Sequence, residues 1–146
     1  MKIDTRKFGT IEIDSNKILT MPECLPGFPG FTRFALLEDP KSAPFCWFQS
    51  TEDPSLALVI MSPFLFKPDY RFNLDNVINA RNWSGVKEEN LIIYVVVNIS
   101  EREEKKNSIT ANLLGPLVIN SENNEAVQVV LSDTNYSHQH NVLDGA

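Results

Sequence analysis

The sequence predicts an all-β fold, mainly antiparallel and barrel- or sandwich-like, with one short helix near residues 73–84. Three observations carry that prediction. About nine short runs of β-branched, aromatic and aliphatic residues recur along the chain, separated by Pro, Gly, Asn and Asp turns. A single stretch, with Leu74, Val77, Ile78 and Arg81 at helical spacing, departs from the period of two. Hydrophobic residues make up 42% of the 146, enough for a packed core and too many for a disordered chain.

Residues 8–14 alternate apolar and polar, and Ser15-Asn16 reads as the turn of an N-terminal hairpin returning through 17–20. Three prolines and two glycines in residues 22–30 demand a shaped loop, in which Gly27 turns the chain and Phe28 buries its ring. Strands follow at 31–37, at the aromatic run 45–50 and at 56–61, divided by the acidic turns Glu38-Asp39-Pro40 and Glu52-Asp53-Pro54. Residues 63–69 hold two prolines and three large apolar side chains, the composition of an ordered loop packed on the body. Asn73 or Asp75 can cap the helix, and Gly85 marks its stop. Residues 91–99 are almost unbroken Leu, Ile, Tyr and Val, which predicts a central strand buried on both faces. The charged run 101–107 reads as a hairpin loop, and strands resume at 108–114, 117–119 and 127–131. Residues 1–136 are expected to form one β domain, and 137–146 a polar, flexible tail.

Charge narrows the function. Thirteen Lys+Arg against 19 Asp+Glu give a net charge of -6, and residues 74–146 supply -5 of it. A nucleic-acid binder needs a basic footprint, so direct RNA or DNA binding is disfavoured and a basic protein partner suits the surface better. The longest apolar run falls far short of the roughly 20 residues that span a bilayer. The N-terminus lacks a signal-peptide core, so the chain is expected to be neither exported by that route nor embedded in a membrane.

Catalytic equipment is sparse. Cys24 and Cys46 stand alone, which predicts reduced and partly buried thiols. His138 and His140 lie in the polar tail and read as solvated, with no third metal ligand near them. No nucleophile elbow and no glycine-rich phosphate loop occurs. If the two acidic turns shared one barrel rim, Glu38, Asp39, Glu52 and Asp53 would make a metal or substrate site; punctuation of surface turns explains the same residues. The residues alone leave a second possibility, a small-ligand or cofactor-binding β-barrel with Trp47, Phe48 and Tyr94 lining its pocket.

Three ordered stretches resemble the FliW family of flagellar assembly factors. The first is Cys24-Leu25-Pro26-Gly27-Phe28 with the apolar strand after it. The second is Trp47-Phe48-Gln49-Ser50 followed by Glu52-Asp53-Pro54. The third, and most specific, is Asn112-Leu113-Leu114-Gly115-Pro116 with Gln128-Val129-Val130-Leu131 and Tyr136. Cys24 and Pro29-Gly30 depart from the family pattern in the first loop. The resemblance implies a cytoplasmic protein without enzymatic activity, metal or cofactor. It implies two partners: the carbon storage regulator (CsrA), a translational repressor of flagellin, and flagellin itself. The partner-interface residues expected are Glu38, Asp39, Phe48, Gln49, Ser50, Glu52 and Asp53, with Glu101, Glu103 and Glu104 in the charged loop.

Overall fold

A computed structural model describes residues 1–101, 107–132 and 134–142. It begins with a hairpin of β1 (Lys2–Thr5) and β2 (Gly9–Glu12), paired from Lys2↔Glu12 to Thr5↔Gly9. Thr5 builds its turn: its hydroxyl donates to Gly9 O at 2.8 Å and accepts from Phe8 N at 2.8 Å. This differs from the expected hairpin of 8–14 with 17–20. Ser15–Lys17 forms a 3-10 turn that hands the chain to β3 (Ile18–Thr20), whose partner is β4 (Arg33–Glu38).

From β4 the chain meanders antiparallel through β5 (Cys46–Ser50), β6 (Ala57–Met61) and β7 (Leu91–Glu101). The remaining strands are β8 (Asn107–Ala111), β9 (Leu117–Asn120), β10 (Glu125–Gln128) and β11 (His140–Asn141). Pairing of β9 with both β10 and Leu91–Tyr94 of β7, and of β10 with β3, closes a barrel of seven strands among the described residues. The Glu125↔Thr20 contact between β10 and β3 is parallel, an exception within an otherwise antiparallel barrel. Beyond the barrel, residues 97–101 of β7 carry β8, and β8 carries β11.

The segment expected as a flexible tail therefore enters the sheet as far as Val142, whose N–H reaches Ile109 O at 2.9 Å. Tyr136 anchors the approach: its hydroxyl accepts from Arg71 N at 3.0 Å and donates to Arg71 O at 3.1 Å. Residues 143–146 lie outside the described residues.

The barrel interior is filled by alternate side chains of its strands, among them Leu19, Phe34, Phe48, Ile60, Leu117 and Ala126. Phe34 and Phe48, on adjacent strands, stack with centroids 4.4 Å apart, a pairing worth about 0.5–1.5 kcal/mol beyond the area it buries. Three outer layers cover the other face. The β1–β2 hairpin lies over Ala35, Leu37 and Trp47. The loop after β6 lays Phe66 and Tyr70 against Val95, Val97 and Leu113. Helix α1 (Leu74–Arg81) and Trp83 cover Leu91, Val118 and Val127. Burial on both faces is why these strands read as continuous apolar runs. In β7 the expectation of burial throughout fails at both ends: Ile92 is 40% and Ile99 44% exposed. At one end the strand reaches the barrel rim, and at the other it leaves the barrel.

Asn73 caps α1, accepting from Asn76 N at 3.3 Å. The helix ends at Asn82, whose φ of 59° is the left-handed cap expected of Gly85. The Asn112–Gln128 motif is a packed joint. A Cβ on Gly115 would stand 2.8 Å from Gln128 Nε2 and 2.9 Å from Asn112 Nδ2. Gly115 O instead accepts from Gln128 Nε2 at 3.0 Å.

The loop of residues 22–32 plugs the barrel end at which β3 leaves and β4 enters. Leu25 is buried, and Phe28 and Phe31 pack on the interior core. Gly27 turns this loop at φ 86°. Gly27→Val should cost about 1–3 kcal/mol, because a β-branched residue is strained there, whereas Gly27→Asn should cost less. Urea denaturation of both variants checks the order, and a Val variant as stable as the parent would contradict this account of the loop.

Candidate functional site

The acidic turn after β5 is assembled from the two residues before it. Gln49 is 1% exposed, and its side-chain N–H group is shared among Ser50 O at 3.0 Å and the carbonyls of Asp53, Pro54 and Leu56 at 3.3 Å. Ser50 Oγ accepts from Glu52 N and Asp53 N, each at 3.0 Å. Glu52 Oε1 in turn accepts from Thr32 N at 3.0 Å and Arg33 N at 3.3 Å, tying the turn to the start of β4. Asp53 accepts from the N–H and hydroxyl of Ser55, which hold its carboxyl below the usual carboxylate range.

Of the expected interface residues here, Phe48, Gln49 and Ser50 are buried and present no side-chain surface to a partner. They shape the turn; Glu52 and the partly exposed Asp53 are what the turn shows to solvent. Strand alternation explains the difference, since Phe48 and Ser50 fill the barrel and Gln49 is sealed beneath the turn it bonds.

Glu38 and Asp39 lie at the other end of the same strand. Glu38 pairs with Cys46 and Phe34 with Ser50, so the two turns are about 13 Å apart along β5 at 3.3 Å per residue. The four acids share no rim. Among the described residues no three His, Cys, Asp or Glu approach closely enough to hold a metal. Asp39 Oδ1 accepts from Lys41 N at 3.0 Å, and Glu38 is exposed at the rim. Glu101 pairs through its backbone with Asn107 at the far end of β7, while Glu103 and Glu104 lie outside the described residues. His140, expected to be solvated, is half-buried and stacks on Phe66 at 5.6 Å.

The pocket of Trp47, Phe48 and Tyr94 does not form. Trp47 faces the outer layer, where Phe8 meets it edge-on and Lys7 Nζ sits 4.4 Å from its ring, whereas Phe48 and Tyr94 belong to the interior. Consecutive residues of a strand cannot face one cavity. Tyr94 hydrogen-bonds Cys46 close to Glu38. Burial, followed by the Cys46 and Glu38 charges, pushes the phenol up to about 12. Burial, then Glu38, pushes the Cys46 thiol up, against the lowering effect of its bond to Tyr94. Both cysteines are free and partly buried.

One concave feature is not revealed by the sequence. Beneath the β1–β2 hairpin the barrel end opposite the plug stays open as a groove of about 630 Å³, lined by apolar side chains including Ile11, Leu36, Ile92 and Ile119. The only hint in the sequence is that Ile92 has the same parity as Tyr94 and Val96, so it faces inward at a strand's end, where nothing follows to cover it.

Three outcomes follow. Gln49→Leu should destabilise the fold by about 1–3 kcal/mol by stranding buried carbonyls. Ser50→Ala should speed hydrogen exchange at the Glu52 and Asp53 amides with less effect on the urea midpoint. Equal exchange in parent and Ser50→Ala would contradict the assigned role. The raised Tyr94 pKa makes a contribution that is complete below the unfolded value near 10. It is lost as pH rises toward about 12. Alkaline unfolding of Tyr94→Phe should therefore fall less steeply over that window than that of the parent.

Comparison with known proteins agrees across the whole molecule. The FliW protein family model matches residues 2–142. Flagellar assembly factor FliW of Alkaliphilus metalliredigens is 39% identical over 99% of this chain and 87% of its own length. That of Treponema denticola is 36% identical over 98% of this chain and 94% of its own. A crystal structure of the flagellar assembly factor FliW superposes with a TM-score of 0.83 at 33% identity, covering 97% of this chain and 96% of that one. With matched sequence motifs, a matched barrel and near-complete coverage of both partners, this chain belongs to the FliW family of flagellar assembly factors.

Proposed function

We propose that the protein is a non-enzymatic regulator of the bacterial cytoplasm that binds the carbon storage regulator (CsrA), preventing it from repressing flagellin translation, and that also binds flagellin. The observation that carries this reading is the acidic surface: a net charge of -6, with Glu38 and Glu52 exposed at the two ends of the barrel. A repressor that grips RNA through phosphates is basic. An acidic partner is drawn to it without having to imitate RNA in shape. The net charge of -6 supports the companion statement that the protein does not itself hold RNA, and acts only by lowering the repressor's occupancy. No described helix is long and apolar enough to cross a membrane.

Surface plasmon resonance with purified CsrA tests this at two salt concentrations. Association should slow as salt rises, and reversal of Glu52 and Asp53, or of Glu38 and Asp39, to Lys should slow it by about tenfold at low salt while dissociation changes less. No binding, or binding indifferent to salt and to both reversals, would overturn the electrostatic reading. A gel shift of RNA by the protein alone would do the same for the statement on nucleic acid.

A further inference from the structure

The two barrel ends differ in covering and in charge. The plugged end is sealed by Leu25, Phe28 and Phe31. The other ends in the open groove, with Ile92 40% exposed at its lip, half-buried Leu36 beside it, and Ile119 and Leu19 beneath. The ladders fix which loops surround each end. Residues 13–17, 38–45, 86–91 and 120–125 ring the open end, because β3, β5, β7 and β10 start there and β4 and β9 finish there. Strand β6 also finishes there, but the segment after it turns onto the outer face with Phe66 and Tyr70. Those four loops carry seven carboxylates and three lysines, an excess of four negative charges. The loops 5–9, 21–33 and 50–56 at the plugged end carry three of each sign, an even balance. Most of the chain's net charge therefore surrounds the uncovered apolar surface.

We infer that the open barrel end is a docking site for a basic polypeptide segment, which seats a large aliphatic or aromatic side chain against Ile92 and Leu36 while its lysines and arginines meet the acidic ring. Sign and shape together select this occupant. A nucleic acid or an anionic membrane surface is repelled by the ring. A second copy of the chain would bring an identical ring, so like charges would face each other across the contact. An apolar anchor surrounded by complementary charge is the arrangement in which the anchor sets residence time and the charges set encounter rate. No local motif announces the groove, because its walls come from four separate barrel strands, the β1–β2 hairpin and the loops beside them. The inference rests on the proposed basic partner and locates its contact away from the acidic turn after β5.

The test uses the full chain, isotope-labelled for amide NMR. One probe is a synthetic peptide of leucines interspersed with lysines, and its control carries serine for every leucine. The leucine peptide should shift the amides of Ile92, Ile119 and Leu36, and the serine peptide should not. Ile92→Lys should weaken the interaction by about tenfold or more. Ile99→Lys, an equally exposed isoleucine at the other end of the same strand, should leave it unchanged. Melting curves confirm that both variants fold. Shifts confined to the 50–56 turn, or an Ile92→Lys chain that binds as the parent does, would overturn the inference. So would a parent dimer in sedimentation that Ile92→Lys dissociates, or a small molecule displaced from the groove. Purified CsrA separates the two readings. Equal binding to parent and Ile92→Lys removes the docking site and leaves the function standing. No binding to either, with the peptide still held at the groove, removes the function and leaves the site.

Discussion

Everything in this fold hangs on the eleven residues of β7 and on how its two edges are divided. One edge pairs with β6 at Val95 and Val96. The other is shared in succession, residues 91–94 with β9 and residues 97–101 with β8, with Asn112 N–H reaching Val96 O between them. A strand edge has one set of backbone groups, so β8 and β9 can both pair with it only by taking different lengths. Closure by β9 makes the barrel. Departure of the distal half makes an outer sheet, under which the loop after β6 packs Phe66 and Tyr70.

That division also explains why so small a domain has four hydrophobic clusters. A closed barrel of seven short strands has little interior, so its outer face must be covered as well. The hairpin, the loop and α1 each cover one sector. Tyr70 donates to Leu113 O at 2.7 Å and Trp83 Nε1 to Glu125 at 2.8 Å, so the polar ends of these covering side chains are paired with the strands beneath.

Polar groups, in contrast, decide the ends. At the plugged end, Gln49 and Ser50 hold a tight turn and Glu52 ties it to β4. At the other, Asn124 Nδ2 donates to Asn16 O at 2.6 Å, and Glu122 accepts from Lys87 N and Asn90, which hold its carboxyl below the usual range. These bonds fix the ring of loops while leaving the apolar surface inside it bare. Acidic surface and exposed hydrophobic surface thus coincide where the backbone is well held, and the proposed docking site rests on that coincidence.

Local chemistry was enough to read most strands, the loop of residues 22–30, the Asn73 cap and the family. Each depends on neighbours along the chain: period-two alternation, turn residues, a capping side chain three residues from its amide. The Gln49-Ser50 pair was legible as a motif but misread as surface, because burial of an amide depends on carbonyls that arrive only when the turn closes over it. Whether Ser15-Asn16 joined a hairpin, whether His140 was solvated, and which acids stood together were settled by long-range pairing. Glu38 and Glu52 both border β5 in sequence, yet antiparallel register sends them to opposite ends, and no local pattern encodes that separation. The open groove belongs to the same class. Its residues come from elements spread between positions 8 and 124, so closure of the barrel alone could bring them around one cavity and leave Ile92 uncovered at its lip.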